Sequence, residues 1–303
     1  MNGGNGSRLV CWQTGARPLL AYRAGTRAER LRALDLFPAP TLRRRFLAAG
    51  IRTAVRSGLD GRIGGGPCPA GEPLSADERR ELLAAAGAEG ADWLQLWPAR
   101  PERRRVYLVF REPSGTVGVV KIGAGDFNAR QLRNEADALR RLDAAGLHPF
   151  RAPTVLFEGA VGLRGDRLAL GLGGFPARLQ PLAATEAASG AARVRERLAA
   201  LSGPGPEVWV HGDLGPGNMM QDDEGGLFVF DWENAAVDAP ARVDEVGFWL
   251  ARRQRRALRD PRRTAAALRR TFRDVSTEEL VSALEWLRAR DNLAAANVLE
   301  AWS

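Results

Sequence analysis

Between Asp92 and Leu172 the chain switches to short runs in which apolar and polar positions alternate, the period-2 mark of strands with a covered face. Trp93-Leu-Gln-Leu-Trp97, Val106-Tyr-Leu-Val-Phe110 and Thr116–Ile122 predict three strands, the last two joined at a Pro113-Ser-Gly115 turn. A 3.6-residue period takes over from about Phe127 to Ala145. There Leu132, Ala136, Leu139 and Leu142 form one stripe, and Gly146 ends the helix. Two more strands are predicted near Thr154–Glu158 and Arg167–Leu172. Beyond Gly173-Gly174 the pattern is helical through Leu201, then extended at Val208–Gly212 and Leu227–Phe230, and helix-dominated from Val243. Upstream of Asp92, Arg27 to about Val55 reads as helix interrupted by Pro38 and Pro40. Residues 58–73 read as a Gly/Pro-rich linker, and Ser75-Ala-Asp-Glu78 is a capping box opening a helix to about Ala86. The Gly/Asn-rich residues 1–7 read as a frayed end. There is no internal repeat.

Composition narrows the class. A chain of 303 residues exceeds the size at which one core keeps growing, so two lobes are expected. No apolar run approaches 18 residues and the start lacks a charged-then-apolar leader, which predicts a cytoplasmic protein without a membrane span. Two cysteines, Cys11 and Cys68, exclude a disulfide framework. The net charge of +8 is carried almost wholly by arginine, since Lys121 is the only lysine. Scattered arginine in an Ala/Gly/Arg-rich chain reads more simply as compositional bias than as a nucleic-acid footprint. In such a chain a single retained lysine is informative.

Chemistry gathers in two places. Alternation puts Val117, Val119 and Lys121 on one strand face. Glu135 falls beside the apolar stripe of the following helix, where a lone carboxylate would be costly. The two would offset each other, although a snorkelling lysine and a rim glutamate fit the same pattern. The second place is sharper. Val208-Trp-Val-His-Gly-Asp-Leu-Gly-Pro-Gly-Asn218 sets His211, Asp213 and Asn218 in the spacing H-x-D-x-x-x-x-N, which chance would produce about 0.003 times in this composition. The apolar run Leu227-Phe-Val-Phe230 then delivers Asp231 in Asp231-Trp-Glu233. Acids and an amide at strand exits suit Mg²⁺, which prefers oxygen ligands and leaves positions open to phosphates.

On these residues the chain resembles the aminoglycoside phosphotransferase/choline kinase-like family, small-molecule relatives of protein kinases, over roughly 92–250. The resemblance implies an α+β, bilobal protein-kinase-like fold. Residues 92–172 would form a small antiparallel-sheet N-lobe and 173–303 a mostly helical C-lobe with reduced substrate-side helices. Residues 1–91 would form a partly helical N-terminal extension. It implies transfer of the γ-phosphoryl group of ATP, or GTP, to a hydroxyl of a small molecule. Lys121 and Glu135 look like the phosphate-binding lysine and its helix partner. Asp213 and His211 look like the catalytic-loop pair, with Asp213 as base and His211 holding the loop's geometry. Asn218 and Asp231 look like the Mg²⁺ ligands, Glu233 a brace, and Asp244 a tie on the loop. Gly212 stands where protein kinases carry Arg, and Trp232-Glu233 replaces their Phe-Gly.

The pattern departs from that family in lacking G-x-G-x-x-G between the first two strands. Its place is taken by Pro98-Ala-Arg-Pro-Glu-Arg-Arg-Arg105, whose arginines could offer contacts to phosphate instead. Other readings remain open at this stage: a catalytically weak nucleotide-binding regulator, or an arginine-rich polyanion binder. The acceptor also stays open, because the tail mixes Glu278, Glu279 and Glu285 with Arg252–Arg256, Arg269 and Arg270 and does not favour a polycation.

Overall fold

The computed structural model describes residues 9–14, 17–37, 42–63, 65–66, 74–97, 105–146, 148–162, 165–202 and 207–302. Four expectations fall on other residues: the frayed 1–7 start, the Pro38/Pro40 break, half of the 58–73 linker with Cys68, and the arginine-bearing 98–104 connection. All lie outside the described residues. The chain forms two compact units, residues 1–136 with 153–177, and residues 137–152 with 178–303.

In the first unit the elements run β1 (Leu9–Thr14), β2 (Arg17–Arg23), α1 (Arg27–Asp35), α2 (Leu42–Ser57), α3 (Asp60–Ile63), β3 (Gly65–Gly66), α4 (Ala76–Ala85), β4 (Trp93–Leu96), β5 (Arg105–Arg111), β6 (Val117–Ala124), α5 (Gly125–Ala145), β7 (Thr154–Val161) and β8 (Arg167–Phe175). Eight strands hydrogen-bond in the order β3-β1-β2-β4-β5-β6-β8-β7, each neighbour antiparallel. Alternation sorts their side chains onto two cores. One holds Leu94 and Val109 against Leu34, Ile51 and Val55 of α1 and α2, with Val117 and Val119 packed on it. The other holds Leu108, Phe110, Val120 and Ile122 against Leu82 and Leu83 of α4. The capping box at Ser75 is present: its hydroxyl accepts from Glu78 N, and Glu78 accepts from Ser75 N. The periodic stripe of α5 is buried at Leu132, Ala136, Leu139 and Leu142.

The strand grammar starts earlier than alternation suggested. β1 and β2 pair from Leu9↔Arg23 to Thr14↔Arg17 and join the sheet through β2–β4. Leu20, Ala21 and Tyr22 are all fully buried, so both faces of β2 are covered and its sequence is a continuous apolar run without a period of 2. The segment ahead of Asp92 therefore supplies sheet as well as helix.

The second unit contains β9 (Gln180–Pro181), α6 (Ala184–Leu201), β10 (Glu207–Val210), β11 (Met219–Gln221), β12 (Leu227–Val229), β13 (Ala236–Pro240), α7 (Val243–Ala251), α8 (Gln254–Arg259), α9 (Pro261–Thr271), α10 (Thr277–Arg288) and α11 (Leu293–Glu300). Two small sheets, β10-β13 and β12-β11-β9, frame the loops that carry polar residues. Helices α7 to α11 close on a core that includes Val246, Leu250, Leu268, Leu284, Leu287 and Val298. An antiparallel sheet in one unit and predominant helix in the other make the α+β class expected from the sequence. No helix among the described residues is long and apolar enough to cross a membrane.

Candidate active site

The loop between β10 and β11 is built around a backbone that other residues would not tolerate. Gly212 has φ 80°, and a Cβ placed there would lie 2.2 Å from the Asn234 carbonyl oxygen. Asp244, in the first turn of α7, fixes the two amides on either side of that peptide. Its Oδ2 accepts from His211 N at 2.7 Å and its Oδ1 from Gly212 N at 2.8 Å. Burial pushes the Asp244 carboxyl above its ordinary value, while His211 and the two amides hold it down. The tie expected of Asp244 is thus a two-pronged clamp made across a long sequence separation.

His211 is fully buried and spends both ring nitrogens on backbone. Nε2 lies 3.1 Å from the Phe230 carbonyl, which can only accept, so Nε2 donates; Nδ1 accepts from Asp213 N at 3.3 Å. Its ring packs 4.4 Å from that of Trp232, and Trp232 stacks in turn on Phe150. Trp232 is fully buried and donates Nε1 to Val229 O at 3.1 Å. This indole anchors the segment carrying Asp231 and Glu233. Sequence reading did not single Trp232 out, because an aromatic between two acids carries no signal of burial.

Asp213 is exposed and shares its oxygens with Asn218, whose Nδ2 donates to Asp213 Oδ2 at 3.0 Å and to the Asp213 carbonyl at 2.8 Å. Spending the amide N–H₂ in this way leaves Asn218 Oδ1 as the side chain's acceptor end. Asp231 follows β12 in the left-handed region, φ 70° and ψ 54°, a conformation that costs a non-glycine residue about 1–3 kcal/mol. Glu233 is buried, and its carboxylate lies within 4.8 Å of that of Asp231. Partial dehydration pushes the Asp213 carboxyl up; Asp231 and Glu233 add to the rise, and His211 and Asn218 oppose it. The neighbouring carboxylates of Asp231 and Glu233 offer oxygen donors only, which fits Mg²⁺ better than a thiolate- or imidazole-seeking metal.

The first unit holds the other polar pair. Lys121 on β6 is opposite Tyr107 on β5 and Leu170 on β8, inside the sheet rather than at an edge. Its Nζ donates to both oxygens of Glu135 at 2.8 Å; Glu135 is fully buried on α5, and Lys121 is 7% exposed. Beside them Arg105 donates Nε to Asn128 Oδ1 at 2.8 Å, and Asn128 Nδ2 donates to Ala124 O at 2.7 Å. Sequence reading gave Arg105 only as the end of an arginine run. Its burial depends on an asparagine one helix away and leaves no local trace.

The structure therefore brings His211, Asp213, Asn218 and Asp231 together in the second unit, with Glu233 and Asp244. It joins Lys121 to Glu135 in the first.

Several solved structures are similar at low identity. Monomeric WbdD is 20% identical with a TM-score of 0.35; 46% of this chain is covered, and the chain spans 35% of the length of WbdD. The aminoglycoside phosphotransferase APH(4)-Ia, in a ternary complex with AMP-PNP and hygromycin B, is 14% identical with a TM-score of 0.46, covering 75% of this chain and 97% of that one. Choline kinase LicA from Streptococcus pneumoniae is 12% identical with a TM-score of 0.40, covering 72% and 90%. No curated protein sequence matches significantly. Residues 16–274 match the phosphotransferase enzyme family, a span that takes in β2 and everything from there to the end of α9. The chain belongs to the phosphotransferase enzyme family.

Proposed function

We propose that this protein transfers the γ-phosphoryl group of ATP, or GTP, to a hydroxyl of a small molecule, with Asp213 as the proton acceptor and Asn218 and Asp231 as the residues that would hold Mg²⁺. The observation that supports this most is the state of Asp213: a carboxylate oriented by Asn218 and raised in pKa by partial dehydration, and then by Asp231 and Glu233. A carboxylate so placed can receive a hydroxyl proton and stay oriented while it does so.

Phosphoryl transfer asks for positioning and charge neutralisation more than for covalent chemistry. Lys121, held by Glu135, contacts the nucleotide's phosphates. Asp213 aligns the acceptor hydroxyl. The acceptor oxygen forms its bond to the γ-phosphorus as the bond to the bridging oxygen of the nucleoside diphosphate breaks, and the hydroxyl proton passes to Asp213 and then to solvent. When bound, Mg²⁺ neutralises charge on the phosphoryl oxygens. His211 and Asp244 position the loop and touch neither substrate. Consumption of a nucleoside triphosphate suits a cytoplasmic protein.

The test is a panel of hydroxylated compounds incubated with ATP or GTP and Mg²⁺, read by mass spectrometry for acceptors that gain one phosphoryl group. Transfer that disappears in Asp213→Ala supports the reading. Unaltered transfer in that variant rejects it.

A further inference from the structure

Arginine stands next to elements that pack on the catalytic loop. A Cβ on Gly212 would come within 2.9 Å of Cη2 of Trp286, so the tip of that indole abuts the residue immediately before Asp213. Trp286 is half-buried on α10. Arg290, four residues on, lays its guanidinium 3.4 Å from the ring centroid and makes no ion pair among the described residues. Contact with the ring dehydrates it and pulls its pKa below the ordinary arginine value; Asp238 is the one acid whose charge opposes that shift.

The other flank repeats the pattern. A Cβ on Gly215 would lie 3.3 Å from that of Ala251, at the end of α7, where the run Arg252-Arg253-Gln254-Arg255-Arg256 begins. Arg252 lies 5.9 Å over the Phe248 ring and Arg253 lies 4.2 Å over that of Trp249. Among the described residues, the four arginines of this run make no ion pair either. Arg253 is pulled down by dehydration and then by the charges of Arg252 and Arg256. In the same unit Arg195 and Arg242 share Glu245.

We propose that the acceptor is an anionic alcohol, a hydroxylated ring carrying a carboxylate or a phosphate, and that Arg290, braced by Trp286, recognises the negative group. A guanidinium lying flat on an indole has already lost much of its rotational freedom. It still presents its in-plane N–H donors, the fork that pairs bidentately with carboxylate or phosphate. A polycation approaching Asp213 would instead meet two unneutralised basic flanks. This inference rests on the phosphotransferase reading and adds the acceptor's charge to it.

The experiment compares glucose 6-phosphate, glucuronate, glucose, kanamycin and choline as acceptors for the wild type and for Arg290→Gln, Arg290→Lys and Trp286→Leu. The phosphate and carboxylate arms separate the two sources of negative charge. Expected is transfer to one of the anionic sugars, with KM for it raised about 10- to 100-fold in Arg290→Gln. The nucleotide KM and the kcat at saturation should stay near the wild-type values, and Arg290→Lys should recover part of the loss. Calorimetric binding of the anionic sugars to protein loaded with Mg²⁺ and ADP gives a second readout that does not need turnover. Transfer to kanamycin, choline or glucose in preference to both anionic sugars overturns the inference and leaves the phosphotransferase reading intact. Absence of saturable binding of either anionic sugar, with Mg²⁺ and ADP still bound, overturns it too. Failure to bind the nucleotide at all would instead strike the reading beneath it.

Discussion

Lys121 and Glu135 lie out of water and satisfy each other at 2.8 Å, whereas Asp213, Asp231 and Glu233 crowd like charges against one another beside a loop that reaches solvent. The first centre is a closed pair of opposite charges, and the second is an open gathering of like ones. A closed pair needs good geometry and complete hydrogen bonding to offset its desolvation, and both oxygens of Glu135 receive the same ammonium. A crowded acid cluster is tolerated by a fold when a cation belongs to its working state. The closed pair holds Lys121 in place, and on the proposed reading the open cluster takes a cation from outside. On the proposed reading, loss at the closed pair costs stability as well as turnover, and loss at the open cluster costs turnover chiefly.

The widest gap should come from Asp213→Ala. Removing an exposed carboxylate should leave unfolding in urea within about 0.5 kcal/mol of the wild type. It should lower kcat by about 10²- to 10⁴-fold at unchanged affinity for Mg²⁺-nucleotide, because the group acts on the acceptor. A variant that turns over at near-normal rate would erase the distinction between the two centres.

At Lys121 the order of effects reverses. Lys121→Met removes the ammonium from which both oxygens of the buried Glu135 accept, a defect worth about 3–5 kcal/mol. The double variant Lys121→Met/Glu135→Leu removes both charges and should regain most of that stability while phosphoryl transfer stays lost. Chemical unfolding of the three proteins beside a transfer assay checks it. A double variant as unstable as the single one would mean that packing, and not charge, makes the defect.

Legibility in the sequence followed locality. His211, Asp213, Asn218 and Asp231 sit within one short stretch, so their spacing alone announced the loop; the Lys121–Glu135 pair could be inferred because strand parity and helix periodicity each pointed one residue at the other element. The strands from β4 to β8 were legible for the same reason, each being an alternating run closed by turn residues. β1 and β2 were not, because a strand covered on both faces loses its alternation. Trp232 as an anchor and Trp286 as a neighbour of Gly212 were invisible too. Both depend on contacts between distant segments, and an indole in an amphipathic helix reads the same whether it meets core or catalytic loop.

Asp244 tests how tightly the open centre is held. In Asp244→Asn one of the two amides at His211 and Gly212 faces an N–H₂ group instead of an oxygen. An orphaned buried N–H costs about 1–3 kcal/mol, and relief of the dehydrated carboxylate returns part of it. Expected is a net loss of about 1 kcal/mol in urea unfolding, with kcat falling more than nucleotide affinity because the loop that aims Asp213 loosens. A variant with unchanged kcat would show that Gly212 and the His211 bonds hold the loop without the clamp.

The smallest effect is the most direct comparison of the two centres. Millimolar Mg²⁺ without nucleotide should raise the melting temperature, because an acid cluster that repels itself gains by binding a divalent cation. At ten times the dissociation constant the gain is about 1.4 kcal/mol. Asp231→Asn should abolish it while keeping the turn, since asparagine is among the residues that accept the left-handed backbone found at this position. The Lys121→Met/Glu135→Leu protein should keep a Mg²⁺-dependent shift, because Asp231 and Glu233 remain. Equal shifts in all three proteins would place the cation elsewhere and remove the reason for separating an electrically open centre from a closed one.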